Sequence, residues 1–142
     1  MSTELDHFVA AQAAVHEQVL QELAAGHERS HWMWFVFPQL RELGHSAMAR
    51  HYGLASLAEA RDYWRHPVLG PRLRECTDRV LGVPDRTATQ IFGTPDDLKF
   101  RSSLTLFEVA APDEPIFRRA LDRFYGGVAD PRTLALLAES RG

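Results

Sequence analysis

The stretch His27-Glu28-Arg29-Ser30-His31 has the H-E-x-x-H spacing with which two histidines hold zinc while the glutamate activates a bound water. That chemistry needs both histidines on one face of an unbroken helix, and a third protein ligand. Gly26 stands where a helix usually stops, and Ser30 reads as the N-cap of a new short helix that starts at His31 and ends at Pro38. On that reading His27 and Glu28 fall in a connector. The extended pattern that would supply a third ligand fails, because residues 34 and 37 are Trp and Phe. No bound metal and no cofactor is expected.

Two other groups of residues can do chemistry. His31, Trp32, Trp34 and Gln39 surround the run "WMWFVF", Trp32 to Phe37. An indole can line a ligand pocket with a few placed polar atoms at its ends, and a histidine is the side chain that titrates nearest neutrality. His31 is therefore the candidate general acid or base. The competing view of the same run is a hydrophobic hub, since it is apolar on every side of a helix and must be surrounded by protein. The second group is Lys99, Ser102, Ser103 and Thr105 in "DDLKFRSSLTLF". Lysine and hydroxyls three and four residues apart share a helix surface and can hold phosphate or ribose oxygens, or the lysine can assist ionisation of a serine. The alternative is a solvated lysine with hydroxyls bonded back to carbonyls of their own helix. Asp96 and Asp97 read as first-turn acids on the positive end of the helix dipole.

The elements that must position these residues read as helices throughout, because no segment shows sustained apolar–polar alternation. The first helix runs from about Glu4 to Ala25, with Phe8, Ala11, Val15, Val19 and Leu23 at helical spacing. The aromatic run reads as the central helix. Ser46 caps a short turn through His51, and Ser56 with Glu59 forms a capping box for "LAEARDYWRH", which stops before Pro67. Pro71 reads as the first position of a helix whose stripe is Leu73, Cys76, Val80 and Leu81. Thr87 and Gln90 form a second capping box. Thr94 reads as the cap and Pro95 as the first residue of the helix carrying Lys99. A helix through "EPIFRRALDRFY" stops at Gly126-Gly127, and Asp130-Pro131 opens the last, "RTLALLAE". The expected fold is all-α: one irregular helical bundle of about nine long and short helices, in a single domain over residues 1–142.

Composition sets outer bounds. The chain has 142 residues, enough for one core without staples. Its 16 basic and 19 acidic residues leave a net charge of -3, which lacks the basic footprint of general nucleic-acid binding. The lone Cys76 suits a reducing compartment. The amino-terminal "MSTELDHFVAAQ" lacks the pattern of a secretory signal, and no membrane association is expected, so the protein is placed in the cytoplasm.

Several unusual strings occur together and in order: "SHWMWFVFPQLRELGHS", "YGLASLAEARDYWRHPVLGPRLRECT", "IFGTPDDLKFRSSLTLF", and "FYGG" before "DPRTLALL". Together they resemble the bacterial DUF1810 family over nearly the whole chain. The resemblance implies a mostly helical single domain and no defined activity. Its hallmark falls on Ser30, His31, Trp32, Trp34, Phe37, Pro38 and Gln39, then on Asp97, Lys99, Ser102, Ser103, Thr105, Leu106 and Phe107. His27 and Glu28 lie outside it.

Two functions follow as expectations. The first is a domain that binds a small polar ligand, a nucleotide or ADP-ribose-like molecule, with hydrolysis as its chemistry. His31 and Lys99 would be its catalytic residues, and Trp32, Trp34, Gln39, Ser102, Ser103 and Thr105 its ligand contacts. The glycine-rich nucleotide fingerprints are absent. The second is a non-enzymatic protein–protein interaction domain with the aromatics in its core.

Overall fold

The computed structural model of the protein describes residues 4–141, with Ser140 and Arg141 described by backbone alone. Residues 1–3 of the amino-terminal stretch read above, and Gly142, lie outside the described residues. Helix α1 spans Asp6–Ala24, α2 Met33–Val36, α3 Ala47–His51, α4 Leu57–Arg65 and α5 Leu69–Leu81. Then come α6 at Ala88–Phe92, α7 at Asp96–Ala110, α8 at Ile116–Tyr125 and α9 at Pro131–Arg141. Arg41–Leu43 adds a 3-10 turn, and the described residues contain no strand, only an isolated parallel bridge between Leu40 and Leu54. The all-α bundle is as expected. Among the described residues no helix is long and apolar enough to cross a membrane.

The central helix is α7, not the aromatic run. It packs against α2, α4, α6, α8 and α9, and Phe100, Leu104, Leu106 and Phe107 are fully buried along it. The aromatic run forms one helical turn, α2, because Phe37 leaves helical geometry (φ -124, ψ 74) ahead of Pro38. Its rings still enter the core. Phe37 meets Phe100 edge-on at 4.8 Å, and Trp32 lies edge-on to Phe92 at 6.5 Å, arrangements that aromatic quadrupoles favour.

Side-chain caps set several boundaries. Ser46, Ser56 and Thr87 accept hydrogen bonds from Ala49, Glu59 and Gln90 amides, and Gln90 completes a reciprocal box with Thr87. Pro71 is not the first residue of its helix. His66 Nδ1 accepts from the amides of Val68 and Leu69 at 3.1 and 3.3 Å, so α5 begins earlier, at Leu69. Thr94 is likewise not a cap: Pro95 holds that position and α7 begins at Asp96.

Polar side chains knit the helices. Gln12 donates to the Phe35 carbonyl at 2.6 Å and to the Tyr63 hydroxyl at 2.8 Å, joining α1, α2 and α4. Arg123 donates to the carbonyls of Leu81 and Val83, tying α8 to the end of α5. Cys76 is buried in α5, and burial pushes its thiol up to about 12, which leaves it unreactive.

Gly70, inside α5, shows how closely α4 and α5 approach. A Cβ there would lie 2.0 Å from the Trp64 carbonyl oxygen. Alanine is the better helix former by up to about 1 kcal/mol, but overpacking against backbone costs more. Gly70→Ala should therefore destabilise the protein by about 2 kcal/mol, read from urea unfolding; a gain in stability would contradict this packing.

Candidate functional site

The connector between α1 and α2 leaves the helix at Gly26, whose φ of +71 suits glycine. His27 and His31 consequently do not share a helix. Among the described residues no group of three or more His, Cys, Asp or Glu is arranged to hold a metal ion. Ser30 is not an N-cap either, because a carboxylate from the preceding helix takes its hydroxyl. Glu22 Oε1 accepts from the amides of Arg29 and Ser30 at 2.7 and 3.0 Å and from Trp32 Nε1 at 2.9 Å. Its Oε2 accepts from Ser30 Oγ at 2.8 Å and Gln18 Nε2 at 2.9 Å. Burial alone would raise the Glu22 carboxyl, but these donors outweigh it and bring it down to about 2.

Glu22 thereby fixes the path of residues 28–32, and the Glu28 amide adds a bond to the Ile91 carbonyl of α6 at 2.8 Å. The connector then faces the start of α7 across a cleft of about 330 Å³, lined by Glu28, Arg29, Ser30, His31, Trp34, Phe92, Thr94, Pro95, Asp96 and Lys99. Lys99 Nζ sits 5.4 Å from the Trp34 ring centroid and 3.6 Å from Asp96 Oδ1. The exposed His31 ring lies 6.3 Å from Trp34. Trp34 is half-buried, so part of its indole faces the cleft.

Glu28 is the anomalous group in this wall. Both its carboxyl oxygens are buried and neither has a hydrogen-bond donor, an arrangement that native proteins seldom leave unexplained. Burial pushes the carboxyl well above the usual carboxylate range. The neighbouring Asp96 adds to this as a like charge, Glu22 repels further, and Lys99 pulls the other way.

The expected site residues divide. His31, Trp34 and Lys99 come together in the cleft. Gln39 lies on the far side of Lys99, in a groove of about 510 Å³ that also includes His45, Leu98 and Arg132 and shares Pro95 and Lys99 with the first cleft. Trp32 is fully buried with its indole N–H on Glu22, so it meets no ligand. Ser102, Ser103 and Thr105 are buried and turn away. Ser102 Oγ lies 3.1 Å from the Leu98 carbonyl and 3.0 Å from Asp130 Oδ2, while Thr105 Oγ1 donates to the Arg101 carbonyl at 2.8 Å and accepts from the Asp130 amide. Those hydroxyls join α7 to the start of α9. A further depression of about 630 Å³ along α1 gathers no comparable chemistry, since Glu22, its acid nearest the connector, is already saturated with donors.

Sequence reasoning passed over Glu22, weighed Glu28 only as the glutamate of the zinc spacing, and read Asp96 only as a first-turn acid, which it also is. Asp97, beside Asp96, does serve the helix start: it accepts from Thr89 Oγ1 at 2.7 Å and from the Leu98 amide. Asp96 also faces the cleft.

With this geometry in place the comparisons can be stated. The family described as "Protein of unknown function (DUF1810)" matches residues 2–137. The chain belongs to the DUF1810 family. The crystal structure of a conserved hypothetical protein from Mycobacterium tuberculosis is 54% identical to it and superposes with a TM-score of 0.94, covering 95% of this chain and 96% of that one. No curated protein matches the chain. Within this DUF1810 fold, the hallmark string from Ser30 to Gln39 and the string around Lys99 are the two walls of the cleft region.

Glu22→Ala should cost about 3 kcal/mol, because it strands the buried Trp32 N–H and frees the connector. The carboxyl is lowered by folding, so its stabilisation is complete above the ordinary value of 4.5 and is lost as pH falls toward about 2. Urea unfolding across that range should show a flatter acid limb for Glu22→Gln than for the native chain; parallel limbs would contradict the clamp.

Proposed function

We propose that this DUF1810 protein binds a small polar ligand, a nucleotide or ADP-ribose-like molecule, in the cleft between the 28–34 connector and the start of α7, and hydrolyses it. The observation that carries this reading is the pairing of Lys99 with the half-exposed Trp34 indole at 5.4 Å. A base can stack on the indole, and the ammonium beside it can hold phosphate or ribose oxygens. Arg29 adds a second cation to the lining, and His31 a third polar group at the mouth. In this reading Lys99 trades its contact with Asp96 for the ligand's anion. The hydroxyls of Ser102, Ser103 and Thr105 have no part in it.

A non-enzymatic interaction domain would need an apolar face. Among the described residues the large apolar side chains left exposed are Met48, Leu98, Val128 and Leu134, which come from separate elements. The cytoplasm remains the inferred compartment, where a reducing environment suits the lone Cys76.

Ligand that binds only the folded protein stabilises it by about 2.7 kcal/mol at a hundredfold excess over Kd. AMP or ADP-ribose should therefore raise Tm in a dose-dependent manner, and Lys99→Ala and Trp34→Ala should each abolish the rise while folding normally. No shift with either compound, or a shift that both variants retain, would refute the reading.

A further inference from the structure

Lys99 stands on a ridge between two hollows. On one side is the cleft with Trp34, and on the other is the groove of about 510 Å³ with Gln39, His45 and Arg132; Pro95 and Lys99 belong to the walls of both. A gap of about 10 Å³ beside the lysine is bordered by Trp34 and Gln39 together. The indole of the first hollow and the amide of the second are therefore neighbours across one side chain. Small-molecule pockets run from about 300 to 1,000 Å³, so either hollow has room for part of a ligand. A molecule confined to the Trp34 side leaves the larger hollow empty.

Charge distinguishes the two sides. Toward Trp34, Asp96 Oδ1 lies 3.6 Å from Lys99 Nζ, so an anion drawn to the ammonium there also meets a carboxylate. The groove has three cations in its wall, Lys99, Arg101 and Arg132, against one acid, Asp130. That acid is turned to the start of α9: its Oδ2 is 3.0 Å from Ser102 Oγ and accepts from the Thr133 amide and hydroxyl at 3.2 and 2.5 Å. Arg101 gives Nε and Nη2 to the carbonyls of Val128 and Ala129, which fixes its charge in the wall. Arg132 is exposed, and among the described residues its guanidinium has no carboxylate partner. The groove thus suits an anion, and the cleft beside it suits a base.

We propose that the two hollows are halves of one site and that its ligand is an ADP-ribose-like molecule, a nucleoside diphosphate carrying a second sugar, rather than a mononucleotide. This rests on the ligand reading above and selects between the two classes it contains. The base stacks on Trp34, the diphosphate crosses the ridge at Lys99 toward Arg132, and the distal ribose lies beside Gln39 and His45, whose polar atoms can hydrogen-bond its hydroxyls. A guanidinium takes phosphate oxygens two at a time. Joining two weakly held ends makes the second contact intramolecular, so the whole ligand binds more tightly than either half.

Isothermal titration of the full chain with AMP, ADP-ribose and ribose 5-phosphate tests the span. ADP-ribose should bind at least about tenfold more tightly than either of the other two. The ratio of the AMP and ADP-ribose affinities is the readout for variants: Arg132→Ala should close most of the gap, whereas Trp34→Ala should weaken both ligands and preserve it. A second readout is the side-chain amide of Gln39 in ¹H–¹⁵N spectra, assigned by its loss in Gln39→Leu, which ADP-ribose should shift and AMP should leave in place. Equal affinities for AMP and ADP-ribose, a gap that Arg132→Ala leaves intact, or a Gln39 amide unmoved at saturation with ADP-ribose would each overturn the spanning ligand while leaving the Trp34 cleft standing. Binding of neither AMP nor ADP-ribose would refute the underlying ligand reading, and the span with it.

Discussion

A single carboxylate that collects five hydrogen bonds, three of them on one oxygen, holds the connector on which the cleft depends. Glu22 sits on α1, and its donors come from the next turns of chain: two amides, a hydroxyl, an indole N–H and the amide of Gln18. Charge-assisted bonds of this kind are stronger than neutral ones, and together they outcompete continuation of the helix through residues 27–32. The connector therefore runs past the start of α7 as irregular, non-helical chain. Glu28, His31 and Trp34 reach the cleft as a consequence, and Trp32 becomes its foundation.

Opposite that connector, α7 divides its polar residues between structure and cleft by position around the helix. Asp97, Ser102 and Thr105 point toward α6 and α9 and are bonded there. Asp96 and Lys99 point the other way, to the connector. Nearly all the buried polar groups of the bundle follow the first pattern, as stability requires. Glu28 follows neither, because its carboxyl is buried without a donor. Breaches of local consistency in a folded chain concentrate where function demands them, which is why the ligand site is proposed here and not in the larger depression on α1.

The helices were legible wherever their determinants are local. Ser46, Ser56 and Thr87 cap within three residues, and Gly26 ends α1 by its own backbone geometry, so the break in H-E-x-x-H could be read from the residue before it. Ser30 was misread because its hydroxyl is claimed by an acid eight residues upstream, and no spacing rule ties a loop serine to Glu22. Pro71 misled for a similar reason: the imidazole of His66 caps α5 ahead of it. Of the site, His31, Trp34 and Lys99 were visible as residue types that recognise ligands. Glu28 was weighed only as the glutamate of the H-E-x-x-H spacing, because a connector glutamate carries no sign in sequence that α6 and α7 will enclose it. Trp32 and Trp34 look alike in the string, and only the clamp on Trp32 separates the buried indole from the available one.

That separation offers the most direct measurement. The chain has three tryptophans, so a ¹H–¹⁵N spectrum resolves their indole N–H signals, assigned by substitution. Titration with AMP should shift the Trp34 indole progressively and leave Trp32, locked on Glu22, and Trp64 in place. Saturation that moves none of the three, or that moves Trp64 while Trp34 stays fixed, would contradict a ligand site between the connector and α7.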